Sequence, residues 1–103
     1  MIVVDRNFAV SAWSESAADT WGLREDEVRG QNFLGLDIGI PTGELRDPIR
    51  AVLGGNDPPD LLLTGHDRRG RRVVCTASFA QLHGPMGDVH GAIVVMTVEA
   101  TEG

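Results

Sequence analysis

Residues 61–98 read LLLTGHDRRGRRVVCTASFAQLHGPMGDVHGAIVVMTV. Three apolar, β-branched runs, Leu61 to Asp67, Arg72 to Leu82 and Val89 to Val98, are separated by Arg68-Arg69-Gly70-Arg71 and by Gly84-Pro85-Met86-Gly87-Asp88. Both separators are short and rich in residues that turn a chain, so the runs predict three antiparallel strands joined by hairpins. A sheet of such strands has to bury at least one face against another layer. The residues upstream supply that layer.

Before the breaker Asn56-Asp57-Pro58-Pro59, the residues Leu45, Ile49, Val52 and Leu53 recur at i, i+4, i+7 and i+8. That spacing makes one apolar face of a helix ending at Gly54-Gly55, with Pro48 admissible only in a first turn or at a kink. Phe33, Leu34, Leu36 and Ile38 form an apolar stretch without regular period, broken by Gly35, Gly39 and Pro41. Arg24 to Val28 can make one helical turn before Gly30, and Ser14 caps a short helix, Glu15 to Trp21, that Gly22 ends. At the start of the chain, Ile2 to Val4 and Phe8 to Trp13 flank the turn Asp5-Arg6-Asn7 as a hairpin. Strand, strand, helices and three strands predict an α+β fold, a five-stranded antiparallel sheet with the helices on one face.

At 103 residues the chain has the size of a single domain, 1–103, with no repeat, low-complexity tract or linker. Its 42% hydrophobic and 23% charged residues are those of a globular chain. Fifteen carboxylates against nine arginines, with no lysine, give a net charge of −6, which argues against a nucleic-acid partner. The longest apolar run, Ala92 to Met96, falls far short of the roughly 20 residues that span a bilayer. With a single cysteine, Cys75, and no charged-then-apolar leader, a cytoplasmic location is expected, away from membranes.

The element order and several of its segments together resemble a PAS domain, the sensory module of bacterial signalling proteins. The carrying segments are Val3-Val4-Asp5-Arg6-Asn7, Trp13 to Ala18, Trp21-Gly22-Leu23, Glu25 to Gly30, Arg69-Gly70-Arg71-Arg72 and Asp88-Val89-His90-Gly91. Leu36 to Pro41 followed by Leu45 to Arg50 resembles, more narrowly, PAS modules attached to chemotaxis methyltransferase (CheR-type) proteins. Two departures stand out. Ser14 occupies the place where the family usually carries Asn, and both residues cap a helix. The first strand also begins at once, where family domains tend to carry a flanking helix, so the chain is expected to be excised from a longer signalling protein.

The resemblance implies a ligand pocket between the inner sheet face and the helices, and strand alternation selects the side chains facing it. They are Val4, Val10, Ala12, Leu63, Cys75, Ala77, Phe79, Val94 and Met96 from the strands. Trp21, Phe33, Ile49 and Leu53 close the site from the helix side. The same residues also describe an ordinary filled core. On the opposite face, Val3, Trp13, Val74, Ile93 and Val95 stay apolar where a solvated sheet alternates to polar residues. A second copy of the domain, making a homodimer, or a flanking helix is the natural cover.

The resemblance further implies cofactor requirements that the residues fail to meet. A flavin photoreceptor of the light-oxygen-voltage type needs a Cys after the first helices, and Gln31 to Gly35 contains none. Haem sensors of this fold carry a proximal His on the long helix, and no His lies between Gln31 and Gly65. Haem and covalent flavin are therefore not expected, while the identity of any small ligand stays open. His83, His90 and Asp88 about the last hairpin are the minimum start of a metal site, but structural zinc takes four ligands, and no metal is expected. Arg68-Arg69-Gly70-Arg71-Arg72 reads either as an anion clamp or as a solvated hairpin end. Cys75 falls mid-strand on the core face, away from any base, and no catalytic constellation is present. The chain is thus expected to be a non-enzymatic sensory module acting on an attached output domain, or else a purely structural dimerisation domain.

Overall fold

The computed structural model describes residues 1–100, with the Ala100 side chain left aside. The chain runs β1 (Ile2–Asp5), β2 (Val10–Trp13), α1 (Glu15–Trp21), α2 (Glu25–Val28), two 3-10 turns at Phe33–Gly35 and Thr42–Leu45, α3 (Arg46–Leu53), β3 (Leu61–His66), β4 (Arg72–His83) and β5 (Val89–Ala100). The strands form one antiparallel sheet in the order β2-β1-β5-β4-β3. The expected α+β architecture is the one the chain adopts.

Local chemistry sets the element ends. Ser14 Oγ accepts from the Ala17 amide at the start of α1, and Gly22, at φ 79°, closes it with its amide on the Ala18 carbonyl. Pro48 is the third residue of α3, where its missing N–H costs no helical hydrogen bond. Ile49, Val52 and Leu53 are the buried stripe of that helix, which packs against β4 and β5.

The first hairpin departs from simple alternation. Phe8 takes a left-handed conformation at φ 64°, closing the turn in which Asp5 Oδ1 accepts from the amides of Asn7 and Ala9. Regular strand pairing consequently begins at Val10 rather than at Phe8. Val4 then pairs with Val10, but Val3 pairs with Ala12 and Ile2 with Trp13, so Ser11 is an extra residue, a β-bulge.

Both edges of the sheet receive backbone partners from the irregular middle of the chain. Beside β2, Val10 N donates to Gln31 O at 2.9 Å, Gly30 N to Val10 O at 2.8 Å and Phe33 N to Phe8 O at 2.8 Å. Beside β3, His66 N donates to Gly39 O at 3.0 Å. The stretch that lacks periodicity is therefore edge cover, which limits strand addition at these positions. Arg6 ties the first turn to the end of α3 and the start of β5, its guanidinium donating to Leu53 O at 3.2 Å and to Val89 O at 2.8 Å.

Candidate functional site

The inner sheet face and the helices enclose one continuous core. Within it, Val4, Val10, Phe33, Ile49, Leu63, Cys75, Ala77 and Val94 are between 0% and 2% exposed and belong to the same packed cluster as Trp21 and Leu53. Phe79 and Met96 pack against that cluster from its margin, half-buried. Burial alone pushes the Cys75 thiol up from 9.0 to about 11. It is held as a neutral thiol and behaves as a small apolar side chain.

Two residues lie opposite to where uninterrupted alternation puts them. Ala12, expected in the pocket, pairs with Val3 and sits half-buried on the outer face. Trp13, expected on the outer face, pairs with Ile2, enters the core at 6% exposure and donates its indole N–H to the Leu23 carbonyl at 2.8 Å. The cause is the bulge at Ser11, because one extra residue inverts the facing of everything beyond it on β2.

A cleft of about 210 Å³ opens at one end of the core, between α1 and the ends of β1 and β5. Of the expected pocket residues, Trp21 and Met96 line it, joined by Ile2, Ala17 and Val98. The other candidates, Ala12 apart, fill one another's space. Ser16, Ala17, Thr20 and Val98 lie outside the expected pocket residues, because the cleft arises from how α1 stands against the sheet and not from strand parity.

On the outer face, Val3, Ile93 and Val95 occupy neighbouring positions on β1 and β5, and Ala12 joins them from β2. Val74 and Ala80 continue the surface on β4. Val3 is 8% exposed, Ile93 and Val74 are half-buried, and Val95 is 45% exposed. Leu62 on β3, 65% exposed, extends the same face and was not picked out from the sequence, where it reads as one of three consecutive leucines.

The charged motifs resolve into local roles. Asp67 Oδ1 accepts from the amides of Arg69 and Arg71, and Oδ2 from the Arg71 guanidinium at 2.8 Å. Burial pushes the Asp67 carboxyl up, but these donors outweigh it and hold the group below its ordinary value. One arginine of the basic run thus stabilises its own turn, while Arg68 anchors that turn to α1 through its amide on the Thr20 carbonyl at 2.9 Å. At the last hairpin, His90 Nε2 lies 3.0 Å from Asp88 Oδ2. Among the described residues, no three His, Cys, Asp or Glu side chains gather as a metal site. Likewise, no helix among them is long and apolar enough to cross a membrane.

A family model described as PAS fold matches residues 1–102. No curated protein matches the chain. Among solved structures, Vibrio cholera VqmA, from a ligand and DNA complex, superposes with a TM-score of 0.80 at 15% identity over 94% of this chain. The chain spans 45% of the VqmA chain. A light-oxygen-voltage domain, from a study of its mechanism with a flavin analogue, gives 0.68 at 18% identity, covering 96% of this chain and 76% of that one. The PAS domain of histidine kinase ThkA gives 0.65 at 16% identity, covering 92% and 93%. At these identities the likeness is one of fold.

Proposed function

The chain belongs to the PAS-fold family, whose members are generally sensory and signalling modules, and from that premise we propose that it is the regulatory module of a longer signalling protein. In this reading it is not an enzyme; it pairs with a second copy of itself through the outer sheet face and passes a signal to an attached output domain through the geometry of the pair. The narrower resemblance of residues 36–50 makes a methyltransferase of the chemotaxis type the output we favour, in the cytoplasm. A surface of net charge −6 keeps nucleic acid out of the proposed partners.

The observation that carries this reading is the apolar outer face. Val95, 45% exposed, stands beside half-buried Ile93, and Leu62, 65% exposed, lies diagonal to half-buried Val74, the two groups being joined across the short side chains of Thr76, Ser78 and Thr97. Covering an apolar side chain is worth roughly 1.5–3 kcal/mol. Several from each of two symmetric copies offset the roughly 4–15 kcal/mol that association costs in rigid-body freedom. Because backbone of the chain itself occupies part of both sheet edges, the face is the better surface for pairing.

The test is Ile93→Arg beside the parent, by light scattering over a concentration series. An unpaired charge buried at the centre of the patch costs far more than the contacts it replaces, so the parent is expected to dimerise and the variant to stay monomeric. A parent that remains monomeric when concentrated, or a variant that still pairs, removes the outer face as the interface.

One observation favours a second reading, a structural dimerisation domain without a ligand. Phe33 and Ile49 from the helical side and Cys75, Ala77 and Val94 from the inner sheet face are all 0% exposed. A ligand there would have to displace them.

A further inference from the structure

The cleft between α1 and the ends of β1 and β5 differs from the rest of the inner face in having room. Its volume, about 210 Å³, exceeds the roughly 150 Å³ that suffices for a benzene ring in an engineered apolar cavity. It is smaller than the roughly 300–1,000 Å³ of sites for drug-sized ligands. The cleft, open to solvent on one side, has room for a small molecule of about one ring.

The lining selects its chemistry. Met1, Ile2, Ala17, Trp21, Met96 and Val98 line it with apolar and aromatic side chains, and the Met1 amino group donates to Ser14 Oγ at 2.8 Å at the same end. Trp21 puts an aromatic side chain in the wall, and the Met96 thioether is a favourable neighbour for an aromatic edge. Ser16 and Thr20, one helical turn apart on α1, add hydroxyls to the same cleft. Ser16 Oγ is already engaged with Ser14 Oγ at 3.0 Å, and Thr20 supplies the second hydroxyl among the lining residues.

We propose that this cleft, and not the middle of the core, is the ligand site, and that it takes a single aromatic ring bearing one hydrogen-bonding substituent. The inference rests on the sensory reading above and specifies its ligand class. Its position also gives a route to the interface. Met96 and Val98 face the cleft, while Val95 and Thr97 alternate with them on β5 and face outward. A ring wedged between α1 and β5 bears on the strand whose other side is the proposed dimer surface.

The test uses the full chain and phenol as the probe, followed by NMR. Saturable shifts of the Trp21 indole and the Met96 methyl are expected, with the Phe33 and Ile49 signals unmoved. Two variants fill the cleft, Ala17→Met from the helix and Thr20→Phe from its rim. The second keeps the test decisive should the first disturb packing. Either is expected to weaken phenol binding about tenfold or more, the effect of roughly 1.4 kcal/mol of lost contact. Shifts that never saturate, that centre on Phe33 and Ile49, or that survive unchanged in a folded filled variant overturn the assignment. Light scattering on the same samples without phenol reads the dimer separately. Loss of the phenol result with the dimer intact removes this inference alone, whereas loss of the dimer strikes the function proposed above.

Discussion

Trp13 stands directly across the β1–β2 ladder from Ile2, and both side chains enter the core. The bulge at Ser11 creates this pairing, and the indole N–H secures it by capping the Leu23 carbonyl in the α1–α2 connection. Trp13 is consequently a core residue that ties the first hairpin to the helices.

Truncating that side chain is expected to cost the fold dearly. Trp13→Ala should lower stability by about 3–5 kcal/mol, the usual effect of emptying a buried aromatic site. Trp13→Phe should lose less, because it keeps most of the volume and surrenders only the bond to Leu23. Urea denaturation followed by circular dichroism checks both. A Trp13→Ala protein as stable as the parent would return this residue to the surface.

Cys75 supplies a pH dependence with a definite sign. Its thiol is held near 11 in the folded chain against 9.0 outside it, so the unfolded chain loses the proton first as pH rises. The stability tied to the neutral thiol is whole below about pH 9 and is lost as pH climbs through about 11. Denaturation midpoints of the parent should fall between pH 8.5 and pH 11 more steeply than those of Cys75→Ala. Iodoacetamide should leave the folded thiol unmodified at pH 8 and label it rapidly in urea.

Gly65 and Gly39 bring an irregular segment close against β3. A Cβ on Gly65 would fall 2.1 Å from the Gly39 carbonyl oxygen, and one on Gly39, at φ 87°, would fall 2.0 Å from the His66 carbonyl oxygen. Only glycine permits this approach. Gly65→Ala is expected to drive the Gly39 segment off β3 and free the His66 amide. Hydrogen exchange at His66 should accelerate in the variant, while Gly43→Ala, whose Cβ meets open space, should leave it unchanged.

The regular elements were legible in the sequence because each carries its own local signal. Ser14 and Gly22 bound α1 at the residues expected, and the spacing of Ile49, Val52 and Leu53 marks the buried side of α3. Three features were not legible, for separate physical reasons. The bulge at Ser11 follows from a left-handed Phe8 and from pairing with β1, and neither leaves a trace in the period-two pattern of Phe8 to Trp13. The Gly39 contact depends on a long-range approach, so Gly39 reads from sequence only as a breaker. Candidate core residues survived these misreadings because β4 and β5 pair in one register from Val73 to Leu82, carrying Cys75, Ala77 and Val94 inward. The cleft depends on the separation of α1 from the sheet, which no pattern of residues along the chain encodes.

The central claim is that two copies meet across the outer sheet face, and a cross-link reads it directly. In a Cys75→Ala background, Thr97→Cys places a thiol on the outer side of β5, and Glu44→Cys places one on the helical side, exposed at the second 3-10 turn. Under mild oxidation at dimerising concentration, Thr97→Cys is predicted to give a covalent dimer on a non-reducing gel, abolished by adding Ile93→Arg, while Glu44→Cys stays monomeric. A covalent dimer from Glu44→Cys with none from Thr97→Cys would contradict the account and place the interface on the helical side.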